Sequence, residues 1–158
     1  MKKTILFFVF SFISNLSHSQ CNCENIKRDD GTNIVQCNSL KVASDNNTQI
    51  GLAIASNGES YFITVLIRFF NNAQNITGDL TLRLNDNNLL TLQLINNGLG
   101  YIGNNEVAQG IFILNSNHKN KIYNSSIKTI SLKLSDNLIR TYKGEMNTDI
   151  LMKQVKCL

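Results

Sequence analysis

The sequence contains no proline and no tryptophan, and histidine is nearly absent, with only His18 and His118. Asparagine is abundant instead, with about two dozen residues along the chain, and isoleucine and lysine are also frequent. This composition is typical of the coding bias of an AT-rich genome. The asparagines therefore need no prion-like or ladder-forming function to explain them.

Long hydrophobic runs are also missing, with one exception near the N-terminus. Lys2 and Lys3 precede an apolar stretch at residues 5–13. Its length of about nine residues is typical of the hydrophobic region of a signal peptide, whereas a membrane-spanning helix needs roughly 20 apolar residues. We therefore expect no transmembrane span in the mature chain.

The residues after this stretch match a signal-peptidase site. Ser17 and Ser19 are small and separated by one residue, as the peptidase requires. We predict a signal peptide at residues 1–19 and one mature domain at residues 20–158, located in the periplasm or outside the cell. Alternatives are an uncleaved N-terminal anchor and a lipid on Cys21. The mature chain, at about 139 residues, is long enough to bury roughly two-thirds of its unfolded surface.

A strong net charge is absent too. The formal net charge is +4, and it falls to +2 when Lys2 and Lys3 are removed, which is too weak to indicate a nucleic-acid partner. From Asn115 onward, however, seven lysines and one arginine accompany three acids, for a net charge of +5. This basic third of the chain indicates either an anionic partner, such as a sugar-phosphate surface, or a solvated surface.

Four cysteines follow the predicted cleavage site: Cys21, Cys23, Cys37 and Cys157. An even number in an exported protein predicts two disulfides. Because Cys21 and Cys23 are too close in sequence to bridge each other easily, each is expected to pair with one of the two distant cysteines, in either connectivity. A zinc site is the alternative, but this spacing is not that of a zinc motif, and we predict no metal and no cofactor.

Alternating apolar and polar residues predict β-strands over most of the mature chain. The strongest pattern covers residues 48–56 and 59–70, which are joined by Asn57-Gly58, a favoured two-residue hairpin turn. Residues 59–70 are apolar on both faces, which predicts a central or covered strand. Further strands are predicted at residues 34–37, 80–84, 90–94, 107–114, 130–134 and 138–143, with one of the turns at Asn96-Asn97-Gly98.

The C-terminal residues change to a helical spacing. Thr148 is a candidate cap with Asp149 in the first turn, and the apolar residues that follow are spaced i, i+4 and i+7: Leu151, Val155 and Leu158. A few short helices among many strands make a parallel α/β sheet improbable. We therefore predict a mainly β fold, either an antiparallel β-sandwich or a partly open barrel, with a short C-terminal helix.

Two segments of the chain are similar to each other. Residues 80–86 match residues 130–136 in their alternating apolar residues, leucine at all positions but Ile130, and in a closing aspartate. The match predicts either two hairpins in equivalent places, on two sheets, or two hairpins that look alike because they share one pattern. Between them, Ser116 is expected to cap a short helix.

Residues 98–103, Gly-Leu-Gly-Tyr-Ile-Gly, match the dinucleotide fingerprint G-x-G-x-x-G. The fingerprint works only where it opens a helix and where an acid follows about 20 residues on. Here Asn104 and Asn105 follow, and then more predicted strand. We interpret these glycines as residues of a turn or a β-bulge.

No catalytic set is predicted from the remaining polar residues. His118 lies among asparagines and lysines, without the serine and acid that a hydrolytic triad needs. Two carboxylates from distant strands are the other route to hydrolysis. The acids available for such a pair lie mostly at predicted turns and strand ends: Glu24, Asp29, Asp30, Glu59, Asp79, Asp86, Glu106 and Glu145.

The cleavage region at residues 17–20, the Cys21-Asn22-Cys23 start, the leucine-rich hairpins and the ending at residues 149–158 form one general pattern. In this pattern the chain resembles small uncharacterised secreted β proteins of Gram-negative bacteria. The resemblance implies an exported β domain and supplies no active site.

The sequence as a whole predicts a secreted, non-enzymatic binding or interaction module. Its expected partner is an anionic or glycan surface or another protein, and no nucleic acid. Two alternatives are a small glycan-active hydrolase that uses two carboxylates and an assembly component that pairs through a strand edge.

Overall fold

The alternating patterns fold as strands throughout the computed structural model, which describes residues 21–27 and 30–158. These residues form eleven strands and two helices. The strands are β1 (Cys23–Lys27), β2 (Asn33–Cys37), β3 (Leu40–Ser44), β4 (Thr48–Ser56), β5 (Tyr61–Phe69), β6 (Leu80–Leu84), β7 (Leu89–Leu92), β8 (Leu94–Ile102), β9 (Asn105–Leu114), β10 (Ile127–Lys133) and β11 (Ile139–Lys143). The helices are α1 (Ser116–Asn124) and α2 (Ile150–Val155).

The strands form two antiparallel sheets that pack face to face. The large sheet has seven strands in the order β1-β2-β4-β5-β9-β8, with β3 also paired to β4. The small sheet has four strands in the order β11-β10-β6-β7. One buried core contains apolar residues of both sheets and of both helices. The predicted β-sandwich with a short C-terminal helix is therefore confirmed.

The central strand of the large sheet is β5, as its apolar pattern on both faces predicts. It pairs along its length with β4, from Thr48 opposite Phe69 to Ser56 opposite Tyr61. On its other side it pairs with β9. The face of β5 that points into the sandwich is apolar and buried: Ile63, Val65, Ile67 and Phe69.

The two similar segments form the two hairpins of the small sheet. One is β6–β7 and the other is β10–β11, and β6 pairs with β10 in the middle of the sheet. The hairpins therefore occupy equivalent places, but both lie in one sheet and not on two. Their alternating leucines and Ile130 point inward, because the inner face of the small sheet covers the core.

Both helices differ from prediction at their first residues. The cap of α1 is Asn115, whose side chain accepts a hydrogen bond from the backbone N–H of His118, so Ser116 is the first helical residue and not the cap. At α2, Asp149 is the cap residue and makes no side-chain capping bond. Its carboxylate instead pairs with Lys153 at 2.7 Å.

Three strands differ from the sequence prediction: β1 and β3 were not predicted, and β8 extends through residues that were predicted as a turn. The short strands β1 and β3 have no clear alternating pattern, and they form beside the well-patterned β2 and β4. The turn predicted at Asn96-Asn97-Gly98 is wrong, because these residues lie inside β8. The chain instead turns after Ile102, where Gly103 has a positive φ of 61°.

Within the described part of the chain, no helix is long and apolar enough to cross a membrane. The predicted signal peptide and its cleavage site lie outside the described residues.

Candidate functional site

Both predicted disulfides are present. Cys21 pairs with Cys157 and Cys23 pairs with Cys37. The described residues hold no free cysteine. A sulfur in a disulfide cannot carry a lipid, so the Cys21–Cys157 bridge counts against lipid attachment at Cys21. Disulfides form and persist in oxidising compartments, and two of them therefore indicate a location outside the cytoplasm.

The two faces of the large sheet have different surroundings. The inner face packs against the small sheet, and no described strand or helix forms a second layer over the opposite face, which we call the outer face. Strand pairing aligns the outer-face residues in rows across the sheet. One row runs through Gln36, Ala55, Phe62 and Ile113, and the next through Ala53, Thr64, Ile111 and Asn96.

A groove of about 440 Å³ lies on the outer face, and we call it the sheet groove. Ala55 and Thr64, on its floor, are 8% and 5% exposed, although no described element covers them. Longer side chains on neighbouring strands shield these small residues and form the walls. The described residues that line the groove are Thr32, Ile34, Gln36, Ala55, Asn57, Phe62, Thr64, Ile95, Asn96, Gln109 and Ile111.

Comparisons with protein-family models, with curated proteins and with solved structures found no match to this chain.

Every described residue that lines the sheet groove is uncharged. Gln36, Asn96 and Gln109 contribute carboxamide groups that form no hydrogen bond with other described residues. Each carboxamide has two donor hydrogens and an acceptor oxygen, so the three can satisfy several polar groups of a ligand at once. Phe62, which is partly exposed, adds a flat apolar surface beside them.

The groove continues along β8 over bare backbone. A smaller hollow of about 60 Å³ lies beside Gly98 and shares Asn96, Gln109 and Ile111 with the sheet groove. A Cβ atom added to Gly98 or Gly100 would meet nothing within 4 Å, and neither residue has a positive φ. Because glycine weakens a strand, a strand glycine that its own chain does not require indicates a place where a ligand or another backbone approaches closely.

The far end of the outer face is basic. A third hollow of about 250 Å³ lies there, lined in part by Lys41, Gln49, Leu66 and Arg68. The guanidinium carbon of Arg68 lies 5.7 Å from the centre of the Phe70 ring. A ligand long enough to extend beyond the sheet groove along the strands would reach the cations of Lys41 and Arg68.

Three of the acids that could form a catalytic pair stabilise local structure. The carboxylate of Asp79 accepts a hydrogen bond from the backbone N–H of Leu94 at 3.1 Å. The carboxylate of Glu145 accepts one from the Ser44 hydroxyl at 3.0 Å. Asp30 accepts one from a backbone N–H in its turn. Asp29 lies outside the described residues.

Two further acids are tied to neighbours in the same turn or hairpin. Hydrogen bonds from the Asn88 side chain and backbone lower the pKa of Asp86. Glu106 accepts a hydrogen bond from the Tyr101 hydroxyl at 3.1 Å, which raises the pKa of that tyrosine. Among the described residues, no group of three or more histidines, cysteines or acids lies close enough to hold a metal ion.

His118 sits in α1 on the side of Lys121. Burial lowers the pKa of His118, and the positive charge of Lys121 lowers it further. Its Nδ1 atom is buried and forms no hydrogen bond with the described residues. The neighbouring charge that acts on it is thus a cation and not the acid that a triad requires.

Three of the cations in the basic C-terminal third of the chain contact other residues of the chain. The Nζ of Lys119 lies 3.5 Å from the centre of the Tyr61 ring, and that of Lys156 lies 4.9 Å from the Tyr123 ring. Arg140 pairs with Asp136, and the hydrogen bonds from Arg140 lower the pKa of that carboxyl.

The residues that line the sheet groove carry no distinctive signal in the sequence. Gln36, Asn96 and Gln109 are ordinary polar residues in their own segments, and strand pairing alone brings them to one face. The spacing Gly98-x-Gly100 is a visible signal, but its composition predicts a turn or a bulge and not a binding surface. The structure places a bulge beside Ile95, earlier in the same strand.

Proposed function

We propose that this chain is an exported, non-enzymatic module that binds a neutral, hydroxyl-rich chain, such as an oligosaccharide, on the outer face of its large sheet. The observation that carries this proposal is the sheet groove, whose described lining is uncharged and holds three carboxamides that form no hydrogen bond with other described residues. Its volume of about 440 Å³ lies within the usual range for a small-molecule site, roughly 300–1,000 Å³.

The ligand class follows from what the groove can satisfy. Sugar hydroxyls both donate and accept hydrogen bonds, and carboxamides do the same, so Gln36, Asn96 and Gln109 suit a neutral sugar. The apolar face of a sugar ring can pack on Phe62. An ionised ligand would lose its hydration without gaining a charged partner in this groove.

A chain longer than one sugar fits the shape of the outer face. The sheet groove and the hollow beside Gly98 share lining residues, so their volumes adjoin. Bare backbone at Gly98 and Gly100 leaves room for sugar units that follow the strand.

Export and the lack of catalysis complete the proposal. Two disulfides support an oxidising location, and the predicted signal peptide supplies the route. Binding without hydrolysis is supported by the uncharged lining, because glycoside hydrolysis needs a carboxylic acid and a second carboxylate at the bond that breaks.

The proposal is tested by calorimetric titration of the disulfide-bonded mature chain with neutral oligosaccharides of increasing length. We expect the affinity to rise with length until the groove is filled. Gln109→Ala should weaken binding roughly three- to tenfold, the effect of one or two lost hydrogen bonds. Gly98→Val should abolish measurable binding, because its side chain occupies the path of the ligand.

The matched control is Thr91→Ala, on the small sheet, which should bind like the unchanged chain. Failure of every neutral oligosaccharide to bind would overturn the proposal. Binding that Gly98→Val leaves intact would place the site elsewhere. Preference for anionic oligosaccharides, lost at high salt, would contradict the ligand class, and release of shortened sugars would contradict the absence of catalysis.

A further inference from the structure

The edge strand β8 is the last strand of the large sheet on its side, among the residues that the structure describes. Of the described strands, β8 pairs with β9 alone, from Leu94 to Ile102. Along its other edge, alternate residues direct backbone N–H and C=O groups away from the sheet. Such an edge is a template for a further strand unless the sequence protects it.

The other described edges carry the protection that β8 lacks. The edge strand β1 has Glu24 and Lys27, and β11 has Arg140 and Lys143. The fourth edge strand, β7, has only 4 residues.

The open side of β3 is occupied by a later part of the chain. The backbone N–H of Glu145 donates to the carbonyl oxygen of Val42 at 2.9 Å, and the Asn147 side chain donates to the carbonyl oxygen of Lys41 at 2.9 Å. In contrast, β8 has 9 residues, none of them charged and none a proline.

Large apolar side chains of β8 remain in solvent. Leu99 is 57% exposed, Tyr101 is 72% exposed and Ile102 is 58% exposed. Leu99 and Tyr101 lie on the inner side of the sheet, opposite Ala108 and Glu106 of β9. An uncharged edge with apolar residues beside its free backbone groups is suited to a partner that supplies both a strand and apolar side chains.

The start of β8 is closed, which limits where pairing can occur. The backbone N–H of Leu94 donates to the Asp79 carboxylate at 3.1 Å. The bulge beside Ile95 then interrupts the regular pairing with β9. The available edge is therefore the stretch from Asn96 to Ile102.

We propose that two copies of this chain pair through this stretch of β8, antiparallel and about a two-fold axis at Leu99. In this register Leu99 faces Leu99 of the partner subunit, and Tyr101 faces Asn97 of the partner subunit. The pairing keeps the inner-side residues of both copies on one side, as strand alternation requires. It is self-complementary, as a two-fold dimer interface must be.

The dimer joins two seven-stranded sheets into one continuous sheet. Because the two-fold axis is perpendicular to the sheet, the outer faces of both copies lie on the same side. The dimer does not depend on the identity of the ligand, but it would align two sheet grooves and allow one long ligand to bind both.

The test measures the mass of the disulfide-bonded mature chain by sedimentation equilibrium over a wide concentration range. We expect a reversible equilibrium between monomer and dimer. Leu99→Lys should weaken the dimer at least tenfold, because it places two like charges opposite each other at the axis. Leu138→Lys is the matched control, since Leu138 is also exposed, at 59%, and lies away from β8.

The register is tested by cross-linking. Under mild oxidation Leu99→Cys should form a disulfide-linked dimer, because antiparallel neighbours at the axis lie about 4.5–5.5 Å apart at Cβ. Leu138→Cys should remain monomeric under the same conditions. Circular dichroism and the unfolding midpoint check that each variant is folded.

A chain that stays monomeric at every concentration would overturn the proposal. A dimer that Leu99→Lys leaves intact would also overturn it, since the contact would then lie elsewhere. Cross-linking of Leu138→Cys as fast as Leu99→Cys would contradict the register. None of these results bears on oligosaccharide binding by the monomer.

Discussion

One buried side chain, Gln154, fills a break in the large sheet. Ile54 of β4 pairs with Ile63 of β5 on one side. On the other side, β2 pairs with β4 at Ala55 and Ser56 and β3 begins to pair at Leu52, so Ile54 falls in the gap between these two described strands. The Gln154 Oε1 accepts the Ile54 N–H at 2.8 Å, and its Nε2 donates to the Asn38 carbonyl oxygen at 2.8 Å. Helix α2 thus supplies the hydrogen bonds that a strand would otherwise make.

Replacing this side chain should destabilise the fold. Gln154→Leu keeps the volume but leaves a buried N–H and a carbonyl oxygen unpaired, so we expect a loss of about 1–3 kcal/mol in the free energy of unfolding. Urea denaturation followed by circular dichroism measures it. The same change at the exposed Gln93 should alter the free energy by less than about 0.5 kcal/mol. Equal effects of the two variants would contradict the role of Gln154.

Two neighbouring glycines in the β8–β9 hairpin, Gly98 and Gly110, have opposite packing requirements. Gly110 faces the core, and a Cβ atom there would lie 2.8 Å from the Phe112 ring and 3.0 Å from the Cδ1 of Ile76. Gly98 faces the groove, where a Cβ atom would meet nothing within 4 Å. Packing of the hairpin therefore requires glycine at position 110 but not at position 98.

This difference predicts opposite stability effects of the same substitution. Gly110→Val should cost about 1–3 kcal/mol, because an extra side chain in a packed core forces its neighbours to shift. Gly98→Val should leave the unfolding free energy unchanged or raise it by up to about 1 kcal/mol, because valine suits a strand better than glycine. Thermal and urea unfolding measure both. A large loss in Gly98→Val would show a structural need for that glycine.

Two hairpins of the large sheet, β4–β5 and β8–β9, show what could be predicted from the sequence and what could not. The β4–β5 hairpin was predicted because two long alternating runs flank Asn57-Gly58, a strong local signal. In β8, Asn96-Asn97-Gly98 has turn composition, and pairing with β9 overrides that local preference.

The sheet groove could not be predicted for a different reason. It depends on the order of strands in the large sheet, which brings Gln36 of β2 and Gln109 of β9 to one face across β4 and β5. Local alternation predicts which residues share a face of one strand, but not which strands are neighbours. The small sheet is easier to predict, because its two hairpins each pair strands that are neighbours in sequence.

The two disulfides constrain very different lengths of chain. Cys21–Cys157 spans a sequence separation of 136, and Cys23–Cys37 spans 14. In the loop-entropy model these are worth about 5 and about 3 kcal/mol, as upper values. Cys21 and Cys23 are close in sequence, so the two bridges fix the same short segment to two parts of the chain that lie far apart in sequence.

Replacing both cysteines of one disulfide at a time should show the difference in stabilisation between the long and the short loop. We expect Cys21→Ser with Cys157→Ser to lose up to about 2 kcal/mol more unfolding free energy than Cys23→Ser with Cys37→Ser. Urea midpoints of the purified double variants measure it, and the unchanged chain with and without a thiol reductant sets the range. Equal losses, or a larger loss from the short loop, would show that native contacts and not chain entropy determine the effect.

The Cys21–Cys157 bridge also has a consequence for the order of events during synthesis. It connects the segment before the first described strand to the segment after the last helix, so every strand of both sheets must have emerged before the two sulfurs can meet. Cys37, in contrast, emerges soon after Cys23. The short loop can therefore close while the chain is still growing, and the long one can only lock a sandwich whose strands are all available.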